Sequence, residues 1–186
     1  MLLPEHIQDV FESAECLYSK EQVEAAFTDM ANQLSEMVAG KNPLFLCVVI
    51  GGLVPLGNLL PLLDFPLEVD YLHATRYNSS TSGGDLKWLA KPRADLKDRV
   101  VVIVEDILDS GLTLSEVVQY CEASGAKSVI TVALVDKEGA RQPGGLQQAD
   151  IVGLTVPNIY VFGYGMDYNE YLRNAPGIYA VADKHI

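Results

Sequence analysis

Residues 101–114 read VVIVEDILDSGLTL, and their pattern decides the fold. Val100, Val101, Val102, Ile103 and Val104 form an unbroken β-branched run. A run without polar alternation belongs to a strand covered on both faces, as in a parallel sheet. It ends at the paired acids Glu105 and Asp106, and Gly111 then frees the backbone to turn into a helix over about 112–124, stopped at Gly125. Strand, glycine turn and helix in that order point the first free amides of the helix, and the positive end of its dipole, at the strand end. Such an arrangement holds an anionic phosphate, with the hydroxyls of Ser110 and Thr113 to help. Glu105 and Asp106 can accept from two vicinal hydroxyls, as on a ribose, or support a hydrated divalent metal. Asp109 is left for proton transfer. Acids at a strand end also serve simply to cap a helix or solvate a loop.

The same alternation extends outward in both directions. Residues 44–50 read as a second apolar strand that runs into Gly51, Gly52 and a helix near 53–63. Further strands are expected at 67–76 and 128–135. Ile7, Val10 and Phe11 recur with Leu3 at helical spacing, while Ser19 and Gln22 make a capping-box pattern ahead of Val23, Ala26, Phe27, Met30, Leu34 and Met37. Two amphipathic helices therefore open the chain. Asn78 to Gly84 is a polar, glycine-ended run that cannot pack a core and reads as a mobile loop. Strands alternating with helices predict an α/β domain, its central, mostly parallel sheet flanked by helices. In such sheets ligands bind beyond the carboxyl ends of the strands, which directs attention to the residues after 50, 104 and 135.

Composition narrows the function. A chain of 186 residues suits one domain, and 49% hydrophobic against 20% charged residues excludes intrinsic disorder. The net charge of −12 offers no field to gather phosphate backbones, so nucleic acid is not an expected partner. Cys16, Cys47 and Cys121 are odd in number and unpaired in spacing, which suggests neither a disulfide framework nor a zinc site and fits a cytoplasmic location. No targeting segment is visible at the acidic N-terminus. Asn42 to Leu63 lacks charge over roughly a bilayer span, but Gly51, Gly52, Pro55, Gly57 and Pro61 break it, so no membrane partner is expected either. His6, His73 and His185 are too scattered for a metal site.

The run VVIVEDILDSGLTL resembles the phosphoribosyl-pyrophosphate (PRPP) loop of type I phosphoribosyltransferases. Receiver domains open with a similar strand and acid pair, but near the chain start, whereas about a hundred residues precede it here. Leu134-Val135-Asp136-Lys137, Val152-Gly153-Leu154 and the run from Tyr160 to Arg173 resemble the hypoxanthine-guanine branch, and the likeness extends over roughly residues 44–180. It implies a type I phosphoribosyltransferase fold: a core over about 40–150 with a small hood from about 1–20 and 151–186. The implied reaction is purine salvage, the Mg2+-dependent transfer of a phosphoribosyl group from PRPP to hypoxanthine or guanine, giving IMP or GMP and pyrophosphate. Glu105 and Asp106 would hold the ribose hydroxyls and, partly through water, a metal. Asp109, Ser110, Gly111, Leu112 and Thr113 would cradle the 5′-phosphate, and Asp109 would take the proton from the purine. Lys137 would donate to the 6-oxo group, Tyr160 would stack on the base, Val161 would read it through its backbone and Met166 would pack beside it. Asp167 would bind a second Mg2+, and Ile50, Gly51, Gly52 and Arg173 would meet pyrophosphate. Arg76 and Tyr77 would begin a lid over about 77–86, and the family is homodimeric or homotetrameric.

The sequence departs from that pattern in three places. Ile50 stands where a lysine is common, Arg76-Tyr77 replaces a Ser-Tyr pair, and Ser110 and Leu112 replace a threonine and a lysine. A non-proline cis peptide, frequent in the family, is expected at Val49-Ile50. Transfer to xanthine or a pyrimidine, a nucleotide-sensing regulator of the same fold that binds RNA, and a PRPP binder without turnover are the rival readings.

Overall fold

The computed structural model describes residues 5–76 and 86–186. Its elements in chain order are α1 (Glu5–Ser13), β1 (Glu15–Ser19), α2 (Lys20–Val38), β2 (Leu44–Val49), α3 (Leu53–Leu59), β3 (Glu68–Arg76), β4 (Leu86–Ala90), β5 (Val100–Leu108), α4 (Leu112–Ala123), β6 (Ser128–Lys137), β7 (Ile151–Val156), β8 (Val161–Phe162) and β9 (Gly177–Ala180). Six strands form one sheet in the order β4-β3-β2-β5-β6-β7. Every pairing in it is parallel except that of β3 with β4. The expected α/β sheet flanked by helices is therefore present.

The apolar run explains why β5 sits centrally. Val102 and Val104 face the core built with Phe27, Met30 and Leu34 of α2 and Leu56 of α3, while Val101 and Ile103 face the core built with Leu114, Val117 and Cys121 of α4. Successive side chains of a strand point to opposite faces, so only a continuous apolar run fills both layers. The α2 start carries the expected box: Gln22 N donates to Ser19 Oγ at 3.4 Å, and Ser19 N donates to Gln22 Oε1 at 2.8 Å. Two orphan amides are satisfied there, which fixes where the helix begins.

Three features differ from the sequence reading. β5 does not end at 104 but continues to Leu108, because Ile107 and Leu108 keep pairing with Val135 and Asp136 of β6. Glu105 and Asp106 thus lie within the strand rather than just past it. Strands β1 and β4 were not expected; both pair antiparallel at sheet edges, where short strands give little periodic signal. β7 belongs to the large sheet, so the C-terminal part of the smaller layer starts at 161, not 151. That layer is the antiparallel sheet β1-β9-β8, covered by Ile7 and Val10 of α1 against Phe162 and Val181.

Candidate functional site

The site grows from the carboxyl ends of β5 and β6. In register, Leu108 sits opposite Asp136, which brings the next residues, Asp109 and Lys137, side by side. Lys137 Nζ lies 3.0 Å from Asp109 Oδ2, with the lysine side chain 11% exposed and the aspartate 51%. A mostly buried ammonium thus meets an accessible carboxylate. Beyond Asp109 the chain turns through Ser110 and Gly111, whose φ of 77° is left-handed and which sits as N-cap of α4. Leu112 N donates to Ser110 Oγ at 3.4 Å.

A second loop buttresses this turn from below. Gln142 N donates to Ser110 O at 3.0 Å and Leu146 N to Gly111 O at 2.9 Å. The approach is so close that a Cβ on Gly111 would come within 2.7 Å of Leu146 N, and one on Gly145 within 3.0 Å of Gly111 C. Glycine is required on both sides of that contact.

Glu105 and Asp106 are the electrostatic anomaly. Burial pushes the Glu105 carboxyl well above the usual carboxylate range and the charge of Asp106 pushes it further, while Arg173 pulls the other way. Burial also raises Asp106, against its bonds with Glu105 and with the Ile107 amide, which donates to Oδ1 at 2.8 Å. Two desolvated acids side by side favour a bound proton, a hydroxyl donor or a nearby cation.

The turn after β2 packs onto the pair. The Val49-Ile50 peptide is cis, as expected. Gly51 abuts the Asp106 carboxylate, and Gly165 of the later loop abuts Gly51. Ile50 is 48% exposed. Gly52, expected to meet pyrophosphate, has no free amide to offer it: Gly52 N donates to Val48 O at 2.9 Å and is spent on starting α3.

The segment after β8 supplies the other wall. Val161 and Met166 are buried, and Tyr160 is 38% exposed with its ring 5.6 Å from that of Tyr168. Burial raises the Tyr160 hydroxyl above its ordinary value, partly offset by the Asn169 amide. Asp167 and Arg173, expected to act on different ligands, instead pair at 2.8 Å, and Arg173 also donates to Gly165 O at 2.7 Å. Tyr77 and positions 77–85 of the expected lid lie outside the described residues; Arg76 closes β3.

Two adjoining cavities result. One, of about 250 Å³, is lined by Glu105, Ser110, Gly111 and Thr113 together with Val49 and Ala74. The other, of about 200 Å³, is lined by Lys137, Tyr160, Val161, Met166 and Asp167. Asp106, Ile107 and Asp109 line both. Of the expected set, Leu112, Ile50, Gly51, Gly52 and Arg173 do not line either one. Among the described residues no three His, Cys, Asp or Glu side chains converge as metal ligands. The donors present fit a hydrated Mg2+, which takes one or two carboxylates and fills its shell with water and substrate oxygens.

Sequence reasoning missed Arg141, which Glu138-Gly139-Ala140 before it and Gln142-Pro143 after it disguise as part of a polar turn. Its guanidinium reaches the carbonyls of Leu108, Asp109 and Lys137 and the carboxylate of Asp136. Only a partner spacing across two strands could have exposed it.

Residues 13–169 match the phosphoribosyl transferase domain. Over 163 residues the chain is 36% identical to the hypoxanthine-guanine phosphoribosyltransferase of Bacillus subtilis, covering 87% of this chain and 89% of that one. It is 37% identical to the bifunctional protein TilS/HprT of Listeria innocua, again over 87% of this chain, but it spans only 25% of that longer relative. The crystal structure of a hypoxanthine-guanine phosphoribosyltransferase from Bacillus anthracis superposes with a TM-score of 0.81 at 28% identity, covering 90% of this chain and 98% of the other.

Proposed function

The chain belongs to the phosphoribosyl transferase family, and on that premise we propose that it is a purine-salvage enzyme that moves a 5-phosphoribosyl group from PRPP to hypoxanthine or guanine. The products are IMP or GMP and pyrophosphate. The observation that carries this reading is the Lys137–Asp109 pair, a donor and an acceptor 3.0 Å apart in a cavity walled by Tyr160 and Met166. A 6-oxopurine presents an acceptor, the 6-oxo atom, beside a ring N–H on one edge. Such a base can take over both halves of the pair, accepting from Lys137 and donating to Asp109. A 6-aminopurine would set a donor against the buried ammonium, and the unpaired charge is the cost that rejects it.

The two cavities divide the substrates. Ser110, Gly111 and Thr113 hold the 5′-phosphate at the start of α4, Glu105 and Asp106 accept from the ribose hydroxyls, and Asp109 lies between sugar and base. As the bond to the anomeric carbon forms, Asp109 takes the proton from the purine ring nitrogen. Tyr160 stacks on the base, with Tyr168 behind it, and Val161 and Met166 complete the wall. Gly51 and Arg173 face the pyrophosphate side. Mg2+, when bound, neutralises pyrophosphate charge; Asp167, Glu105 and Asp106 are the residues to hold it, partly through water.

Two further parts of the proposal concern setting. The exposed apolar residues Leu53, Leu62, Val69 and Tyr71 around α3 and β3 support self-association as a homodimer or homotetramer. Cytoplasmic residence is supported by three free cysteines, of which Cys47 and Cys121 are buried, with thiols pushed up to about 12 and about 11.

A spectrophotometric assay with PRPP, Mg2+ and each purine in turn tests the reading. Turnover of hypoxanthine and guanine but not adenine is expected; no turnover of either 6-oxopurine ends it. Asp109→Asn should lower kcat by about 10²- to 10⁴-fold while leaving PRPP affinity within about threefold. Undiminished turnover in that variant would remove the base assignment.

A further inference from the structure

Arg141 lines neither cavity, yet all but one of the groups it binds belong to the ends of the strands that carry Asp109 and Lys137. Its Nη1 donates to Leu108 O at 2.7 Å, to Asp109 O at 2.5 Å and to Lys137 O at 3.2 Å, its Nε donates to Gln147 O at 3.2 Å, and its Nη2 pairs with Asp136. The side chain is 14% exposed. One planar cation thus joins the last carbonyls of β5, the last residues of β6 and the loop that props up the Ser110-Gly111 turn.

Past Leu108 and Asp136 the strand ladder stops, so the relative placement of Asp109 and Lys137 is no longer set by paired amides. Carbonyls that point past a sheet end need a donor, and here Nη1 lies within reach of three of them while Nε and Nη2 of the same fork hold Gln147 O and the Asp136 carboxylate. A lysine offers a single point charge on a flexible stem and cannot span that spread of acceptors.

We propose that Arg141 is a positioning residue: it locks Asp109 and Lys137 at the separation a 6-oxopurine edge requires, and couples that separation to the phosphate turn through the 141–147 loop. This rests on the function proposed above. The effect falls on the chemical step and on the purine rather than on PRPP, because the 5′-phosphate is held by the turn itself, whose bonds from Gln142 and Leu146 do not involve the guanidinium.

The test compares IMP formation by the wild type, Arg141→Lys and Arg141→Ala, with folded fraction followed by circular dichroism. Arg141→Lys should lower kcat by about tenfold and raise the KM for hypoxanthine, with the KM for PRPP moving less than about threefold. Arg141→Ala should lose about a hundredfold, and millimolar guanidinium ion should restore at least about threefold of it. A solely structural role would give losses that track the folded fraction, fall on both substrates and ignore guanidinium; that result overturns the inference, as does an unimpaired Arg141→Lys. Should Arg141→Ala not fold, the lysine variant decides alone. A wild type that forms no IMP brings down the functional reading and this inference with it, whereas an active wild type matched by its Arg141 variants brings down the inference only.

Discussion

Gly51→Ala isolates the contact on which the buried acid pair depends. Gly51 does not occupy a positive φ, so its backbone accepts alanine without strain. The new methyl would lie 2.6 Å from Asp106 Oδ1 and closer still to Oδ2 and Cγ, deep inside van der Waals contact. Asp106 is 7% exposed and cannot swing into water. Overpacking of this kind costs about 1–3 kcal/mol. Turning the carboxyl aside also breaks the bond that Oδ1 accepts from the Ile107 amide at 2.8 Å, which adds about 1.5–3 kcal/mol. Reduced freedom of the unfolded chain returns about 0.4–1 kcal/mol. The net loss should be about 2–5 kcal/mol, visible as a lower urea midpoint at unchanged slope. The decisive measurement is a double-mutant cycle with Asp106→Ala, which removes the atoms the methyl strikes. In that background Gly51→Ala should cost less than about 1 kcal/mol, a coupling of at least about 1 kcal/mol. Equal destabilisation in both backgrounds would show that the glycine is required for another reason.

The remaining predictions concern acids whose environments oppose each other. Glu105 has its carboxyl raised by burial, then by Asp106, so the folded protein keeps a proton that the unfolded chain releases near 4.5. Its contribution to stability is whole below that value and is lost as pH rises through the higher folded one, so Glu105→Gln should be more stable than wild type at pH 7 and show a flatter decline; parallel pH profiles would refute this. Asp70 runs the other way: burial opposes its charge, but amides of Ala94, Tyr71 and Arg93 donate to it at 2.8, 2.9 and 2.6 Å and hold it below 3.8. Its stabilisation is present above 3.8 and vanishes as pH falls through the lowered value. Asp70→Ala should cost about 2–4 kcal/mol at pH 7 by urea titration, and a change under about 1 kcal/mol would count against it.

What the sequence made legible follows from range. The continuous apolar run of β5, the capping box at Ser19 and the glycine turn at 111 are local signals, each carried by a few adjacent residues, and each appears where the pattern puts it. The strand's end was misjudged because Glu105 and Asp106 look like surface residues. Asp106 is buried by contacts that no local window contains, Gly51 from the turn after β2 and Gly165 from the loop after β8, while Glu105 stays half-buried beside it. The same blindness hid Arg141, whose acceptors lie 4, 5, 6, 32 and 33 positions away. It also hid the pairing of Asp167 with Arg173, since spacing alone gives each a separate task. Strand β1 escaped notice because its five residues border a helix start and leave two of their number exposed.

The charges left in the cleft bear on why the loss of a lysine at position 50 is tolerable. Lys137 is the one cationic side chain among the described residues that line the two cavities, against Glu105, Asp106, Asp109 and Asp167. It is committed to Asp109, while Arg173 is held by Asp167 and Arg141 by Asp136 and the strand-end carbonyls. A phosphorylated, pyrophosphate-bearing substrate would meet net repulsion in such a site were it to arrive bare. At the proposed 5′-phosphate site the protein would answer with neutral groups, amides and hydroxyls at the start of α4, which attract an anion without adding a cation. On the function proposed above, Ile50 offers no charge to pyrophosphate, so the compensating charge would travel with the substrate, and Mg2+ is the ion that would supply it. On that proposal the acids of the cleft would meet a ligand already neutralised by its metal, and a lysine at position 50 would be less needed.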